Sequence, residues 1–475
     1  MVKPIKFGTD GWRAIIADEF TFDNVVLVTK AVASYIATKY DKSKPVIIGY
    51  DTRFLANKFA QRAADTLNQY GFNVMLVDRD APTPVIAFSA KHLNSAGALM
   101  FTASHNPPEY CGIKYIPDYA GPATTDITDV IVENVAKLQQ GDESVITPTG
   151  TIGKTEYFDP KPEYIKCVKS LIDFDKIKAS GKKVYYDPLY STGRGYFDEL
   201  LKQAGSDVTT IHDWIDPLYG GAMPEPKEQF LGELKELIIK DPGSIGFSND
   251  GDADRFGVLD EKGAYVTPNE VISVLFKHLL KNKNKKGSVV KTVATSQMID
   301  KIADIYGGVK VHETAVGFKW VGQIMRQEDV IIGGEESGGL SIIGHIPEKD
   351  GIVANLLILE AIAYEKKPLY QIIEELKQEI GSHYINYRLD LHLTEEIKHA
   401  AMEMFKNNPP KALGGFKVKD INKLDGVKFY FEDNNSWMLV RPSGTEPLLR
   451  IYFETNSNEK LDAFVNDVKK LVDTL

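Results

Sequence analysis

Cysteine is nearly absent: the 475 residues hold two, Cys111 and Cys167, without metal-binding or redox spacing. That usage suits a reducing compartment and excludes a disulfide-stapled scaffold. Long hydrophobic runs are lacking too. The longest, residues 351–364, is short for a membrane span and is interrupted by Asn355 and Glu360. The first twelve residues contain no apolar signal core, so a cytoplasmic location without membrane association is expected. Positive charge is not in excess: a formal net charge of −10 argues against a nucleic-acid partner. The Gly-x4-Gly-Lys-Ser/Thr nucleotide loop, the Gly-x-Ser-x-Gly elbow and the His-Glu-x-x-His zinc motif are missing as well.

What is present is an ordinary globular composition, 43% hydrophobic and 26% charged, on a chain too long for one core. Roughly three to four domains are expected. Helical periodicity over 23–40, 57–70 and 84–93 alternates with strand-like runs over 45–51, 73–78 and 95–101. Such alternation predicts a mostly parallel sheet flanked by helices. Residues 7–13 read as a turn-like opening, and a helix over 125–139 closes the first unit. The pattern recurs from 182 and again from 267, where Thr267-Pro268-Asn269-Glu270 carries a capping threonine, a first-turn proline and a glutamate three residues after the cap. After 382 it changes to late strands at 427–431, 437–440 and 449–453, with turn residues at 433–436. The predicted class is α/β: three similar mixed α/β domains over 1–145, 146–262 and 263–381, then a smaller α+β domain over 382–475.

Four segments carry chemistry. In the first, an apolar run feeds Thr102-Ala103-Ser104-His105-Asn106-Pro107-Pro108. A strand ending this way presents a side chain at the crevice of an open α/β sheet. Ser104 is a candidate nucleophile, and serine is weak at its own pKa unless a base, a metal or prior activation assists it. In the second, Asp250-Gly251-Asp252-Ala253-Asp254-Arg255, carboxylates at i, i+2 and i+4 on extended backbone point the same way. Three hard oxygen ligands would repel unless a cation such as Mg²⁺ sat among them. An EF-hand is the competing reading, and Arg255 occupies the place where that loop needs glycine. The third, Gly333-Gly334-Glu335-Glu336-Ser337-Gly338-Gly339, combines close backbone approach with a carboxylate and a hydroxyl suited to sugar hydroxyls. The fourth, Arg441-Pro442-Ser443-Gly444-Thr445-Glu446-Pro447, offers a guanidinium fork and an anion nest. Singly, each also reads as a polar or glycine-rich turn.

In this order, and across nearly the whole chain, the four segments resemble the α-D-phosphohexomutase superfamily. The resemblance implies four domains around a central cleft, with Ser104 as phosphoserine carrier and Asp250, Asp252 and Asp254 as Mg²⁺ ligands completed by Ser104. It further implies Arg255 beside the reacting phosphoryl group, Lys114 as general acid/base, and Arg13 and His105 in the catalytic set. Glu335 and Ser337 would bind sugar hydroxyls, and Arg441, Ser443, Gly444 and Thr445 the substrate phosphate. Two departures stand out: Cys111 where many relatives have Asn, and Gly339 where the bacterial phosphomannomutase and glucosamine branches have His. His345 or Lys319 is expected to compensate for the second.

The implied activity interconverts hexose 1-phosphate and hexose 6-phosphate, glucose favoured and mannose next, with hexose 1,6-bisphosphate as intermediate and activator. Closing of the last domain, with a hinge near Gly381, would keep water from the phosphoserine. The partner is the phosphorylated hexose, and the chain is a monomer or homodimer. Phosphopentomutase or phosphoglucosamine mutase activity, a Mg²⁺-dependent sugar phosphatase and a non-catalytic phosphosugar-binding protein are the alternatives.

Overall fold

The first sheet is where the strands of the opening third converge. In the computed structural model, which describes residues 5–8, 11–443 and 448–475, it has seven strands. Their spatial order is Phe7–Gly8, Gly11–Ile15, Tyr110–Ile116, Ala98–Phe101, Val46–Tyr50, Val74–Val77 and Thr155–Phe158. Helix Phe22–Lys39 starts where the Thr21 hydroxyl accepts the Asn24 N–H, and it buries Val25, Val28, Val32 and Ile36 against this sheet's core. Two expectations are corrected here. Residues 7–13 are not a plain turn, because Gly11–Ile15 pairs antiparallel with Tyr110–Ile116. The sheet is mixed rather than mostly parallel, since three of its six pairings are antiparallel. Thr155–Phe158, past the expected 145/146 boundary, returns to pair parallel with Val74–Val77 and covers its edge.

The second sheet runs Tyr265–Val266, Phe256–Leu259, Ile245–Asn249, Val184–Asp187, Val208–Thr210, and the third Val311–Thr314, Ser288–Thr292, Val330–Glu335, Gly339–Ile342. One device is common to all three sheets. A strand ends in a chemistry-bearing loop, and the next strand turns straight back antiparallel to it. The pairs are Ala98–Phe101 with Tyr110–Ile116, Ile245–Asn249 with Phe256–Leu259, and Val330–Glu335 with Gly339–Ile342.

Helix Gly351–Glu365 is buried almost throughout. Asp350 caps it by accepting the Ile352 and Val353 N–H groups. Lying between the second and third sheets, it fuses their apolar interiors into one cluster. The C-terminal sheet is six-stranded and antiparallel between neighbours. One face buries Phe405, Phe464 and Val468 from its two longer helices, and the other sets Trp437, Leu439 and Tyr452 against Val293 and Ala294. Asn422, Lys428 and Tyr430 of this domain all donate to Glu313 of the third. Gly381, beyond helix Leu369–Glu379, adopts φ +71°. Among the described residues no helix is long and apolar enough to cross a membrane.

Candidate active site

The first two loops meet face to face. Ser104, at the end of Ala98–Phe101, adopts the left-handed conformation (φ +52°), which costs a non-glycine residue on the order of 1–3 kcal/mol. Thr102 Oγ1 accepts its N–H, and the Ser104 hydroxyl donates to Asp250 Oδ2 at 2.8 Å. Glycine at 251 permits the approach, since a Cβ there would lie 2.6 Å from the Ser104 carbonyl oxygen. The aspartate loop is not extended as its spacing suggested. It curls through Ala253 at φ +54°, and its three carboxylates still converge, with one oxygen from each within 4.8 Å of the others.

These carboxylates fit a hard divalent cation. Asp252 Oδ2 accepts the Thr83 hydroxyl (2.6 Å) and Lys114 Nζ (2.8 Å), while Asp254 Oδ2 accepts Lys114 (3.1 Å). The remaining oxygens, Asp252 Oδ1 and Asp254 Oδ1, are buried without a hydrogen-bond partner. Left unfilled, such atoms carry a desolvation cost that an ion removes. Burial and its two aspartate neighbours push Asp250 well above the carboxylate range. Burial opposes the charge on Asp254, but Lys114, Lys349 and Arg255 outweigh it and hold Asp254 well below that range.

The neighbours are equally specific. His105 Nδ1 lies 3.3 Å from Ser104 Oγ, and burial together with Arg255 and Arg13 lowers its pKa, so the ring is neutral near pH 7. Arg13 donates to Asn106 Oδ1 at 2.8 Å. The Arg255 backbone N–H bonds Asp250 Oδ1, and its guanidinium stands 3.7 Å from Glu225. Six residues named from sequence, namely Ser104, His105, Lys114, Asp250, Asp252 and Asp254, are thus gathered in one buried cluster, with Arg13 and Arg255 at its rim.

The sugar side is less as foreseen. Glu335 is buried, accepts the Gly317 N–H, and has its pKa raised to about 7, burial outweighing the pull of Lys349. Ser337 is exposed at the tip of the loop. His345 does not compensate for the missing histidine: its side chain is wholly buried and bonded through Nε2 to Asp350 (2.8 Å), with Cys167 beyond Nδ1. Lys319 turns to the first domain and donates to Thr125 Oγ1. The residue at the vacated place is Lys349. Its stem crosses Gly339, where a Cβ would lie 2.3 Å from Lys349 Cδ, and its ammonium reaches Asp254 at 3.2 Å.

Arg441 and Ser443 lie in the fourth domain, whereas Gly444 and Thr445 fall outside the described residues. Arg441 pairs with Asp425 at 2.8 Å, and Asp425 also accepts the Val316 N–H from the third domain. Directly across the ladder from Arg441 stands Arg450. Two cations at opposed positions repel unless an anion or carboxylates lie between them. Sequence reading missed Lys349 and Arg450. The signal for Arg450 was an arginine just past the phosphate string, whereas Lys349 shows itself only once Gly339 is seen beneath it.

The fold and site define a four-domain protein with a buried serine–carboxylate centre. Comparison with known proteins agrees. The four domain descriptions of the phosphoglucomutase/phosphomannomutase family match in order: alpha/beta/alpha domain I over residues 4–142, domain II over 162–263, domain III over 267–380 and the C-terminal domain over 394–471. The chain belongs to that family and so is a phosphohexomutase, an isomerase that transfers a phosphoryl group within its substrate. It is 30% identical over 467 residues to a phosphoglucomutase/phosphomannomutase of Thermococcus kodakarensis, covering 98% of each chain. It is 28% identical to a phosphoglucosamine/phosphogalactosamine mutase of Sulfurisphaera tokodaii, covering 98% of this chain and 99% of that one. A crystal structure from Thermus thermophilus, designated a phosphomannomutase, superposes with a TM-score of 0.87 at 32% identity over the whole of both chains.

Proposed function

We propose that the chain interconverts hexose 1-phosphate and hexose 6-phosphate, with glucose preferred and mannose next, through phospho-Ser104 and a hexose 1,6-bisphosphate that also serves as activator. The observation that carries this reading is the 2.8 Å bond from Ser104 Oγ to Asp250, inside the one buried carboxylate cluster found among the described residues. Asp250, Asp252, Asp254 and Ser104 would hold Mg²⁺, which supplies charge neutralisation at the phosphoryl oxygens.

The protein's own groups do the rest. The bond from Ser104 Oγ to phosphorus breaks as one from the sugar hydroxyl oxygen forms. Lys114, an ammonium between Asp252 and Asp254, gives a proton to the departing Ser104 Oγ and, as the amine, takes the one the sugar hydroxyl sheds. The bisphosphate then turns over in the cleft, and Ser104 Oγ bonds to the other phosphorus as the bond from that phosphorus to the sugar oxygen breaks. Neutral His105 accepts the Ser104 proton, and Lys114 gives one to the departing sugar oxygen. Arg255 and Arg13 offset the charge of the transferring group. Arg441, Ser443 and Arg450 grip the phosphate that is not reacting. Glu335 and Ser337 receive the hydroxyls that glucose and mannose share.

Lys349 favours a neutral sugar. An ammonium beside the sugar loop repels the ammonium of glucosamine phosphate, so that substrate ranks below the two hexoses. The test is product formation from glucose, mannose, glucosamine and ribose 1-phosphates, with Mg²⁺, a trace of bisphosphate and Ser104→Ala alongside. Fast isomerisation of glucose 1-phosphate, lost in the alanine variant, supports the reading. Release of inorganic phosphate without isomerisation contradicts it.

A further inference from the structure

The loop that carries Ser104 holds a left-handed residue and two prolines, yet it is shaped around one side chain from another element. Arg53 follows strand Val46–Tyr50, and its side chain is completely buried. Its guanidinium collects four backbone carbonyls: Nη1 donates to Pro107 (2.7 Å) and Tyr110 (2.9 Å), and Nη2 to Ser104 (2.7 Å) and Asn106 (2.6 Å). Asp51 stands 3.2 Å from Nε and accepts the Arg53 backbone N–H, and the Tyr219 ring from the second domain lies 5.2 Å from the guanidinium carbon. A buried charge is tolerated where it is paired and hydrogen-bonded, as here.

We propose that Arg53 is a positioning residue for phosphoryl transfer. The planar fork holds the 104–110 loop in the single shape that aims Ser104 Oγ at Asp250, whether or not the serine carries phosphate. The proposal rests on Ser104 being the phosphorylated nucleophile. Lysine cannot replace this arginine, because three donors on one nitrogen cannot reach four carbonyls spread along seven residues. Tyr219 links the clamp to the domain that supplies the aspartates, so the serine and its carboxylate partners are held by one assembly.

The test is Arg53→Lys in the full chain, assayed for kcat, KM and backbone amide exchange. A serine displaced by about 1 Å should lower kcat about 100-fold and leave KM within about threefold. Exchange across 104–112 should quicken about tenfold, while strand Val184–Asp187 stays as in the parent. Added guanidinium, but not ammonium, should restore part of the activity of Arg53→Gly. Wild-type kinetics in Arg53→Lys, or quickened exchange across every domain, would overturn the proposal. If Arg53→Lys does not fold, Asp51→Asn keeps the fork and removes its counter-charge. A smaller fall in kcat with local exchange then supports the clamp, and unchanged kinetics and exchange refute it. Ser104→Ala separates the two readings. Activity surviving in that variant would refute the nucleophile, and the exchange pattern of Arg53→Lys would still decide the clamp.

Discussion

The serine side and the sugar side of the cleft were read from equally short motifs, and they turned out differently. On the serine side Ser104, Lys114 and the three aspartates interlock at 2.8–3.1 Å. On the sugar side Glu335 is in place, but His345 is locked onto Asp350, Lys319 bonds Thr125, and Lys349 occupies the space over Gly339. Each serine-side motif is local, one strand-loop-strand unit or a run of five residues, so its members are legible together although the two motifs meet only where the first and second domains pack. The sugar side is completed by packing between segments ten residues apart, and there periodicity says nothing about which side chain fills a gap.

Substitutions can break that contrast, beginning with the strongest. Ser104→Ala should cost at least about 10⁴-fold in kcat, as expected for loss of a nucleophile; a loss below tenfold would remove Ser104 from the reaction. Stripping divalent ions with chelator should abolish turnover, and Mg²⁺ should restore it. Asp252→Asn should raise the Mg²⁺ concentration needed for half-maximal rate, read by titration of activity. Lys349→Met should lower kcat/KM for glucose 1-phosphate by about tenfold or more and narrow the gap to glucosamine 1-phosphate, since the repelling charge is gone. Lys319→Ala, on the same side of the cleft, should stay within about threefold of the parent, as surface substitutions do.

The smallest effect on activity, and the clearest on stability, belongs to His345. Burial alone would lower its pKa, but the bonds to Asp350 and Cys167 raise it to about 9. A folded-state pKa above the unfolded value near 6.5 means stability that is fully present below pH 6.5 and lost as pH rises through 9. His345→Phe should therefore flatten the pH dependence of denaturant unfolding between 6.5 and 9, with kcat nearly unchanged at pH 7. A kcat fall of about 100-fold at unchanged stability would return His345 to the active site.

Much of the fold was legible. Helix Thr125–Gln139 falls where periodicity put it, and Thr267 and Glu270 form the capping box their spacing announces. What escaped were the return strands, Tyr110–Ile116, Phe256–Leu259 and Gly339–Ile342. They are buried almost throughout and follow loops rich in polar residues, so they carry no alternation to mark them. Thr155–Phe158 escaped for another reason: its partner lies some eighty residues upstream, and only the sheet edge it covers shows where it belongs. The aspartate spacing foretold the convergence of three carboxylates from the wrong backbone, because a curled loop with Ala253 left-handed brings them together as well as an extended one.

The account stands most directly on where the phosphate is carried. The protein would be incubated with Mg²⁺ and glucose 1,6-bisphosphate radiolabelled in its phosphates, digested, and the labelled peptide sequenced. One phosphate per chain on Ser104, chased into hexose phosphate by unlabelled glucose 1-phosphate as fast as turnover, is the predicted result. Label on another residue, or label lost to water without entering sugar, would contradict it.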